Sequence, residues 1–551
     1  MKKQISLLLT FSIFFAMFTT ISNVNATPTY KHLPNFIAPI EVIDPDDPEY
    51  ADWIPISDRA GLSAIRLNRN NLSGKYYLTN DIDLSEEEWE ESIGRIYYEG
   101  PFTGTFDGQG YVIRNMTITH LRAWVLPAGL FGHTQGAIIR NIGLEDVYIN
   151  LPPAFHRTTA GGIIGIADDS LIDNCYTTGI VSNGNNTTKM GGIVAEAVDT
   201  NIVDCYNTAD VSGRERDQAQ IYTGGIAGYM EGGSIINSFN AGNISNATHA
   251  GGIVGYIENA TVKSCYNTGD ISNAFYVGGI AGWFIRSAED SVISDCYNTG
   301  EVQYSHLNND FTTPNSGGGI VGVGRIMSNN VSVIGITNCY STGDVFEADV
   351  KTTNTIWRLI FMYSHSGPII GVASRMITPT NCYWNIDNYL DSLLIARIRE
   401  EGYTGASTPL TTAQMQLASS FRGFDFERVW TIVEGVNNGM PVLRAFGYGE
   451  TTTPPETTTP PDSTTPPDST TPPPLPNFKL GRILDKDTEP SIFDVLEILK
   501  ALVGMDTIIN DCDYARQAAL ITEESRLRGE PSIFDALEVL KYLVGLESLV
   551  G

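Results

Sequence analysis

Gly251-Gly252-Ile253-Val254-Gly255-Tyr256, followed after a short gap by Ser264-Cys265-Tyr266-Asn267-Thr268-Gly269-Asp270-Ile271-Ser272, is the stretch that decides the fold. Its opening recurs at Gly161, Gly191, Gly224, Gly278 and Gly318, with a diverged copy at Gly129-Leu130-Phe131-Gly132 and a last one at Ser366-Gly367-Pro368-Ile369-Ile370-Gly371. From Gly129 through Gly162, Gly192, Gly225, Gly252, Gly279 and Gly319 the intervals are 33, 30, 33, 27, 27 and 40 residues, the longer ones reading as loop insertions. Each unit holds three strand-like pieces rich in β-branched residues, here Ile253–Ile257, Thr261–Tyr266 and Asp270–Ser272. Turn residues (Asn, Gly, Thr) separate them, and none is long enough for a helix. One unit cannot bury its apolar face alone, whereas stacked copies can, each pairing with the next. Three strands and three corners per turn predict a right-handed parallel β-helix. Ile and Val ladders point inward, Gly supplies positive φ or close approach at corners, and Asn forms amide ladders along the stack.

The cysteines fit the same register. Cys175, Cys205, Cys265, Cys296, Cys339 and Cys382 are each followed by Tyr, at one fixed place in the unit. Stacked there, they act as small buried hydrophobes, and adjacent parallel rungs fit disulfide geometry poorly. Free thiols are expected, and Cys512 has no evident partner. The copy Ser238-Phe239-Asn240 swaps Cys-Tyr for Ser-Phe, which suits packing and argues against a metal or redox role.

These units resemble the bacterial GLUG motif, which implies an architecture shared with adhesin-like proteins and some exported peptidases. The flanks are similar too: Arg59-Ala60-Gly61-Leu62, Gly74-Lys75-Tyr76-Tyr77-Leu78-Thr79-Asn80-Asp81-Ile82-Asp83-Leu84 and Phe102-Thr103-Gly104-Thr105-Phe106-Asp107-Gly108-Gln109-Gly110. The first reads as a short capping helix with Asp58 as N-cap, the others as opening coils. Downstream, Thr411-Thr412-Ala413-Gln414 fits a capping box, and Asn438-Gly439-Met440-Pro441-Val442-Leu443-Arg444 is expected to close a domain over residues 55–447.

The chain opens with Lys2 and Lys3, an apolar run from Ile5 to Ile21, and Val24-Asn25-Ala26 before Thr27, the order of a secretory signal peptide over residues 1–26. Residues 27–54 form an N-terminal segment. No later stretch is long and apolar enough to span a bilayer, so the expectation is a secreted or cell-surface protein. The net charge of −29 disfavours nucleic acid and anionic membranes as partners, since both are polyanions.

Residues 448–476 read as a linker, nearly all Thr and Pro from 451 on, and so as an extended polyproline-type spacer. Residues 477–551 carry a second duplication: Pro490-Ser491-Ile492-Phe493-Asp494-Val495-Leu496 matches Pro531-Ser532-Ile533-Phe534-Asp535-Ala536-Leu537, and Leu-Val-Gly follows both. Apolar residues at 492, 495, 496, 499, 502 and 503 fit a helical stripe, with Gly504 and Gly545 as C-terminal caps. Two loop-then-helix halves after such a linker resemble dockerin modules. That resemblance implies a small all-α module, calcium in EF-hand-like loops and a cohesin-type partner. It places Asp485, Asp487 and Asp494 as calcium ligands in the first loop, and Ile492, Phe493, Leu496, Ile533, Phe534 and Leu537 on the partner-binding helices. The loops depart from the pattern. Ile483 replaces the first acidic ligand and Thr488 the turn glycine, and Arg526 and Arg528 occupy ligand positions in the second loop, where arginine offers no oxygen.

Chemistry-bearing motifs are sparse. None of the seven histidines is followed by Glu, which weighs against a His-Glu-x-x-His zinc peptidase. There is no Gly-x-Ser-x-Gly elbow. Asp168, Asp169, Asp173, Glu196, Asp204 and Asp295 are the carboxylates that a lyase or glycoside hydrolase would need to bring together. Tyr229, Tyr256 and Trp283 share one repeat position, able either to stack on sugar rings or to pack against the next rung. Two functions follow: a non-catalytic adhesin or scaffold binding a glycan or host surface protein, or a polysaccharide-active enzyme carried by a docking tag.

Overall fold

The computed structural model describes residue 43 and residues 50–448, apart from residues 68, 91, 96–99, 120–126, 152–157, 184–186, 214–219, 288–290, 306–314, 328–334, 348–364, 375–376 and 389–406. The chain divides into two compact units, Met1–Thr452 and Thr453–Gly551. The second unit lies outside the described residues. So do the leader 1–26, nearly all of the linker, Cys512, and the tail positions Asp485, Asp487, Asp494, Ile492, Phe493, Leu496, Ile533, Phe534 and Leu537.

Successive repeats stack as parallel coils. Val254–Glu258 pairs with Ala227–Glu231 below and Ala281–Arg286 above. Thr261–Lys263 does the same with Ser234–Ile236 and Ile293–Ser294, and Ile271–Gly278 with Ile244–Gly251 and Ser316–Gly318. Among the described residues these rungs build an 8-stranded face, an 11-stranded face and a 22-stranded face, the last taking two or three strands from each of the central repeats. Register is held by position in the repeat and not by spacing. Gly251 pairs with Gly278 and Gly278 with Gly318, although 27 and 40 residues separate them, so the extra residues lie outside the ladder. The result is a mainly β, parallel β-helix. Among the described residues no helix is long and apolar enough to cross a membrane.

Two details of the repeat differ from expectation. The piece expected as one strand, Thr261–Tyr266, is two, Thr261–Lys263 and Tyr266–Asn267, because the chain turns a corner at Ser264 with φ +52°. That left-handed position recurs just before each column cysteine or its serine stand-in, at Asn174, Asp204, Asn237, Asp295, Asn338 and Asn381, with φ of 49–53°. Asn and Asp tolerate this conformation best among non-glycine residues. The repeat glycines, by contrast, serve close approach. A Cβ on Gly252 would lie 2.2 Å from the Gly279 carbonyl oxygen and 2.3 Å from Asn267 Cγ. The second glycine therefore makes room for the amide of its own rung, which ties the two halves of the motif together.

Three side-chain ladders run along the stack. Asn207, Asn240, Asn267 and Asn298 are fully buried, and each of the first three donates from Nδ2 to Oδ1 of the next at 2.8 Å. The same Nδ2 donates within its own rung, from Asn267 to the Gly269 carbonyl at 2.7 Å. These amides are thus satisfied inside a dry core, where an unmet polar group costs far more than a hydrogen bond returns. The six column cysteines are buried free thiols. Each donates to the carbonyl two residues back, as Cys205 does to Val203 at 3.1 Å. Ser238 repeats that bond to Ile236 at 2.9 Å, so the Ser-for-Cys swap preserves the packing. The third ladder is aromatic: Tyr176, Tyr206, Phe239, Tyr266, Tyr297 and Tyr340 stack with centroids 4.7–5.1 Å apart and planes within 6°.

The ends follow their local signals. Asp58 accepts from the Gly61 amide at 2.8 Å to cap Arg59–Arg66, whose Leu62 and Ile65 join the core. Thr411 and Gln414 form the reciprocal capping box. Beyond it the chain lies over the aromatic ladder. Phe421 packs on Tyr383 and Tyr340, Trp430 on Tyr340 and Tyr297, and Phe446 on Tyr266 and Phe239. The strap is pinned by Trp430–Thr431 pairing antiparallel with Val442–Leu443, and by the Tyr340 hydroxyl, which donates to the Pro441 carbonyl.

Candidate functional site

The six candidate carboxylates do not come together as one group. Asp168 is paired with His133, Nε2 to Oδ2 2.8 Å, and Glu196 with Lys189 at 2.6 Å. Asp169, Asp204 and Asp295 are corner residues with φ of +46°, +51° and +53°. Asp295 stands three rungs from Asp204 in the pairing of the 11-stranded face. Asp173 and Asp204 do lie on consecutive rungs. Burial raises both carboxyls, and the Asp204 charge raises Asp173 further while Arg140 opposes it. Among the described residues, no three of His, Cys, Asp and Glu are grouped so as to hold a metal ion.

A different constellation does come together, at the corner marked by the Gly-Gly pair. Tyr229, Tyr256 and Trp283 are in register on adjacent rungs, as the sequence led one to expect. Across the corner, Tyr222, His249 and Tyr276 form a second registered row, each two residues before its Gly-Gly pair. The six rings interleave. Tyr222 meets Tyr229 and Tyr256 at 5.7 and 5.1 Å, His249 meets Tyr256 and Trp283 at 6.0 and 5.1 Å, and Tyr276 meets Trp283 at 4.8 Å. Tyr229 and Tyr256 are stacked at 5.1 Å and 7°. Their faces are turned to each other, so packing on the next rung occupies the surface on which a sugar would have stacked.

Around these rings lies a row of oxygen acceptors. The Tyr229 hydroxyl donates to Glu231 at 3.0 Å, Tyr256 to Glu258 at 3.3 Å and Tyr222 to Gln220 at 2.7 Å. Burial, followed by the neighbouring carboxylates, pushes the Tyr229 and Tyr256 phenols up, so both stay protonated donors. The Lys189 ammonium sits 4.1 Å from the Tyr229 ring centroid, a cation–π contact made by the chain itself. The second row was not singled out from sequence because its members differ in type. Their constant distance from the Gly-Gly pair was the available signal.

His249 lies inside this cluster, fully enclosed, and burial pulls its imidazole from the ordinary 6.5 to about 3. Between those values the unfolded chain binds a proton that the folded chain refuses, so stability falls as pH drops through that window, with a limiting slope of about 1.4 kcal/mol per pH unit. The raised carboxyls of Asp173, Asp204 and Asp295 act in the opposite sense, since their folded forms hold a proton that the unfolded forms release. We therefore predict that His249→Phe, which keeps a ring between Tyr222 and Tyr276, loses less stability than the parent between pH 6.5 and 4 in urea melts. Parallel losses in the two proteins would contradict the buried neutral imidazole.

Comparison with known proteins finds one family motif. The GLUG motif matches residues 246–272, one coil of the stack. Halomucin of Haloquadratum walsbyi (strain DSM 16790 / HBSQ001) is 30% identical over 144 residues, which cover 24% of this chain and 1% of that protein. This chain thus spans only a small part of that curated relative. Among solved structures, an immunoglobulin A1 protease candidate from Bacteroides ovatus aligns over 71% of this chain and 92% of its own, at 20% identity and a TM-score of 0.35. A structure named IgA1 Protease aligns over 60% of this chain and 21% of its own, at 17% identity and a TM-score of 0.37. The chain is a parallel β-helix carrying the GLUG motif.

Proposed function

We propose that this chain is an exported, non-catalytic adhesin or scaffold whose β-helix binds an extracellular glycan. In this reading the leader directs export, the Thr/Pro-rich residues 448–476 act as spacer, and residues 477–551 dock to a cohesin-type partner, with calcium held by Asp485, Asp487 and Asp494 in the first loop. The observation that carries the glycan assignment is the registered corner of Tyr222, Tyr229, Tyr256 and Trp283 with Glu231 and Glu258. It sets a carboxylate on each of two adjacent rungs, in register with each other, and glycan hydroxyls can donate to such a pair. Binding of the full chain to an array of polysaccharides, repeated with Glu231→Gln/Glu258→Gln, tests it. Retention of at least one glycan by the parent and about tenfold weaker retention by the variant is the expected outcome. Absence of glycan binding by the parent defeats the proposal.

A second reading, a polysaccharide-active enzyme, draws on Asp173 and Asp204, two partly buried carboxyls of raised proton affinity on consecutive rungs, the first of them near Arg140. Product release from pectins, other uronates or plant polysaccharides that disappears in Asp173→Asn would favour it over the adhesin.

A further inference from the structure

We infer that the aromatic strap is a pH-sensitive cover, which holds the tyrosine ladder in acid and loosens as pH rises because closing it encloses the carboxyl of Asp295 beside that of Asp425. The left-handed corner that precedes the column cysteines runs beneath the strap. Gly423 of the strap sits on it, with φ +91°, and a Cβ there would lie 2.0 Å from Asn381 Nδ2. Asn381 Nδ2 donates to Asn338 Oδ1 at 3.1 Å, and Asn338 Nδ2 to Asp295 Oδ1 at 3.2 Å, so the amides of this corner end on a carboxylate. Trp430 packs on Tyr297, two residues after Asp295, with ring centroids 6.1 Å apart. Cover changes along the corner accordingly. Ser264 and Asp295 are 7% and 8% exposed, whereas Asn174 and Asp204, on rungs nearer the N-terminus, are half-buried.

The strap brings its own carboxylate to this corner. Asp425 Oδ1 accepts from the backbone N–H groups of Glu427 and Arg428 at 3.0 Å each, and the Asp425 carbonyl from that of Trp430 at 2.8 Å. One turn thus fixes both the carboxylate and the indole. The indole N–H of Trp430 lies buried near Asp295 without closing a hydrogen bond to it. A buried donor left unmet makes this contact weaker than its packing suggests. From the coil, Lys263 also faces Asp295, being in register with the neighbouring Ser294. The strap can move without opening the coil, because its side chains and the tyrosine ladder form a hydrophobic cluster separate from the Ile and Val core.

The direction of the pH effect follows from these neighbours. Burial pushes the Asp295 carboxyl up; the Asn338 amide, Lys263 and the Trp430 indole pull against it, and the Asp425 charge adds to the rise. An open strap returns Asp295 toward water and toward its ordinary 3.8. The closed state therefore binds the proton more tightly than the open one. That stabilisation is complete below 3.8 and is lost as pH rises through the raised value of the closed state. Above it, closing the strap encloses a negative charge that faces a second one.

The test is amide hydrogen exchange of the full chain, read by mass spectrometry across the acid-to-neutral range and corrected for the intrinsic pH dependence of exchange. Protection of peptides from residues 421–446 should fall several-fold on going from acid to neutral pH, while peptides of the Ile and Val rungs beneath keep theirs. Asp295→Asn should hold strap protection at the acid level throughout. This variant suits the site, because Asn already occupies the same left-handed corner at Asn174, Asn237, Asn338 and Asn381. Asp204→Asn removes a carboxyl that burial also raises, but one on a rung without Asp425 and Trp430 among its neighbours, and should leave the pH response of the strap as in the parent. Three results would overturn the inference: strap protection that is the same in acid and at neutral pH, a pH response that persists in Asp295→Asn, or strap and rungs losing protection together.

Discussion

Replacing Asn267 with Ala should lower the stability of the coil by about 3 kcal/mol or more, since each buried polar group left unmet costs roughly 1–3 kcal/mol. The side chain is fully buried in the middle of the amide ladder. It accepts from Asn240, donates to Asn298 and donates to the Gly269 carbonyl. Truncation leaves the Asn298 amide oxygen and the Gly269 carbonyl short of a donor, and opens a gap against Gly252. The urea midpoint reports the loss. Thr268→Ala, one residue on and exposed, should shift it by no more than about 0.5 kcal/mol. Equal small shifts in both variants would mean that the amides do not support the stack.

Trp430→Ala should cost about 3–5 kcal/mol, the usual range for removing a large aromatic from a packed interior. Its ring is fully buried, 4.6 Å from Phe424, 5.8 Å from Tyr340 and 6.1 Å from Tyr297. The consequence differs in kind from that of Asn267. Trp430 belongs to the strap, and the strap covers the outer side of a coil whose own core lies beneath. The expected result is release of the strap before the coil melts, seen as binding of a hydrophobic dye to the uncovered tyrosines at a denaturant concentration where far-ultraviolet circular dichroism is still native. Leu417→Ala, whose side chain is 48% exposed, should do neither. A single transition with no dye binding would show that strap and coil unfold as one.

How much of this was legible in the sequence depended on periodicity. The Gly-Gly-Ile, Cys, Tyr and Asn positions recur with identity as well as spacing, so coil, thiol column and amide ladder could all be read from them. The corner before the cysteine could not, because Asn, Asp and Ser264 share it and only a backbone angle unites them. The strap was opaque for the opposite reason. Phe421, Phe424, Trp430 and Phe446 follow no period: Phe421 and Phe424 both meet Tyr340 and Tyr383, Trp430 meets Tyr340 and Tyr297, and Phe446 meets Tyr266 and Phe239. At the candidate site, Tyr229, Tyr256 and Trp283 were visible as one aromatic column, while Tyr222, His249 and Tyr276 look unrelated until register aligns them. The acidic residues could not be sorted, because a carboxylate at a turn looks the same in sequence whether it is a catalyst or a corner. Asp169, Asp204 and Asp295 owe their places to left-handed turns.

The central claim is that each repeat is one interchangeable coil. Deleting the 27 residues from Gly252 to Gly278 joins Gly251 to Gly279 and removes one whole rung without altering the register of the rest. The strap should still find rings, since Phe239 and Tyr206 move into the places that Tyr266 and Phe239 held beneath Phe446. Thermal unfolding followed by circular dichroism, with small-angle scattering of the folded state, measures the outcome. The account predicts a cooperative β-rich protein whose stack of coils is shorter along its own axis by about 4.8 Å. A chain with no cooperative transition would contradict it.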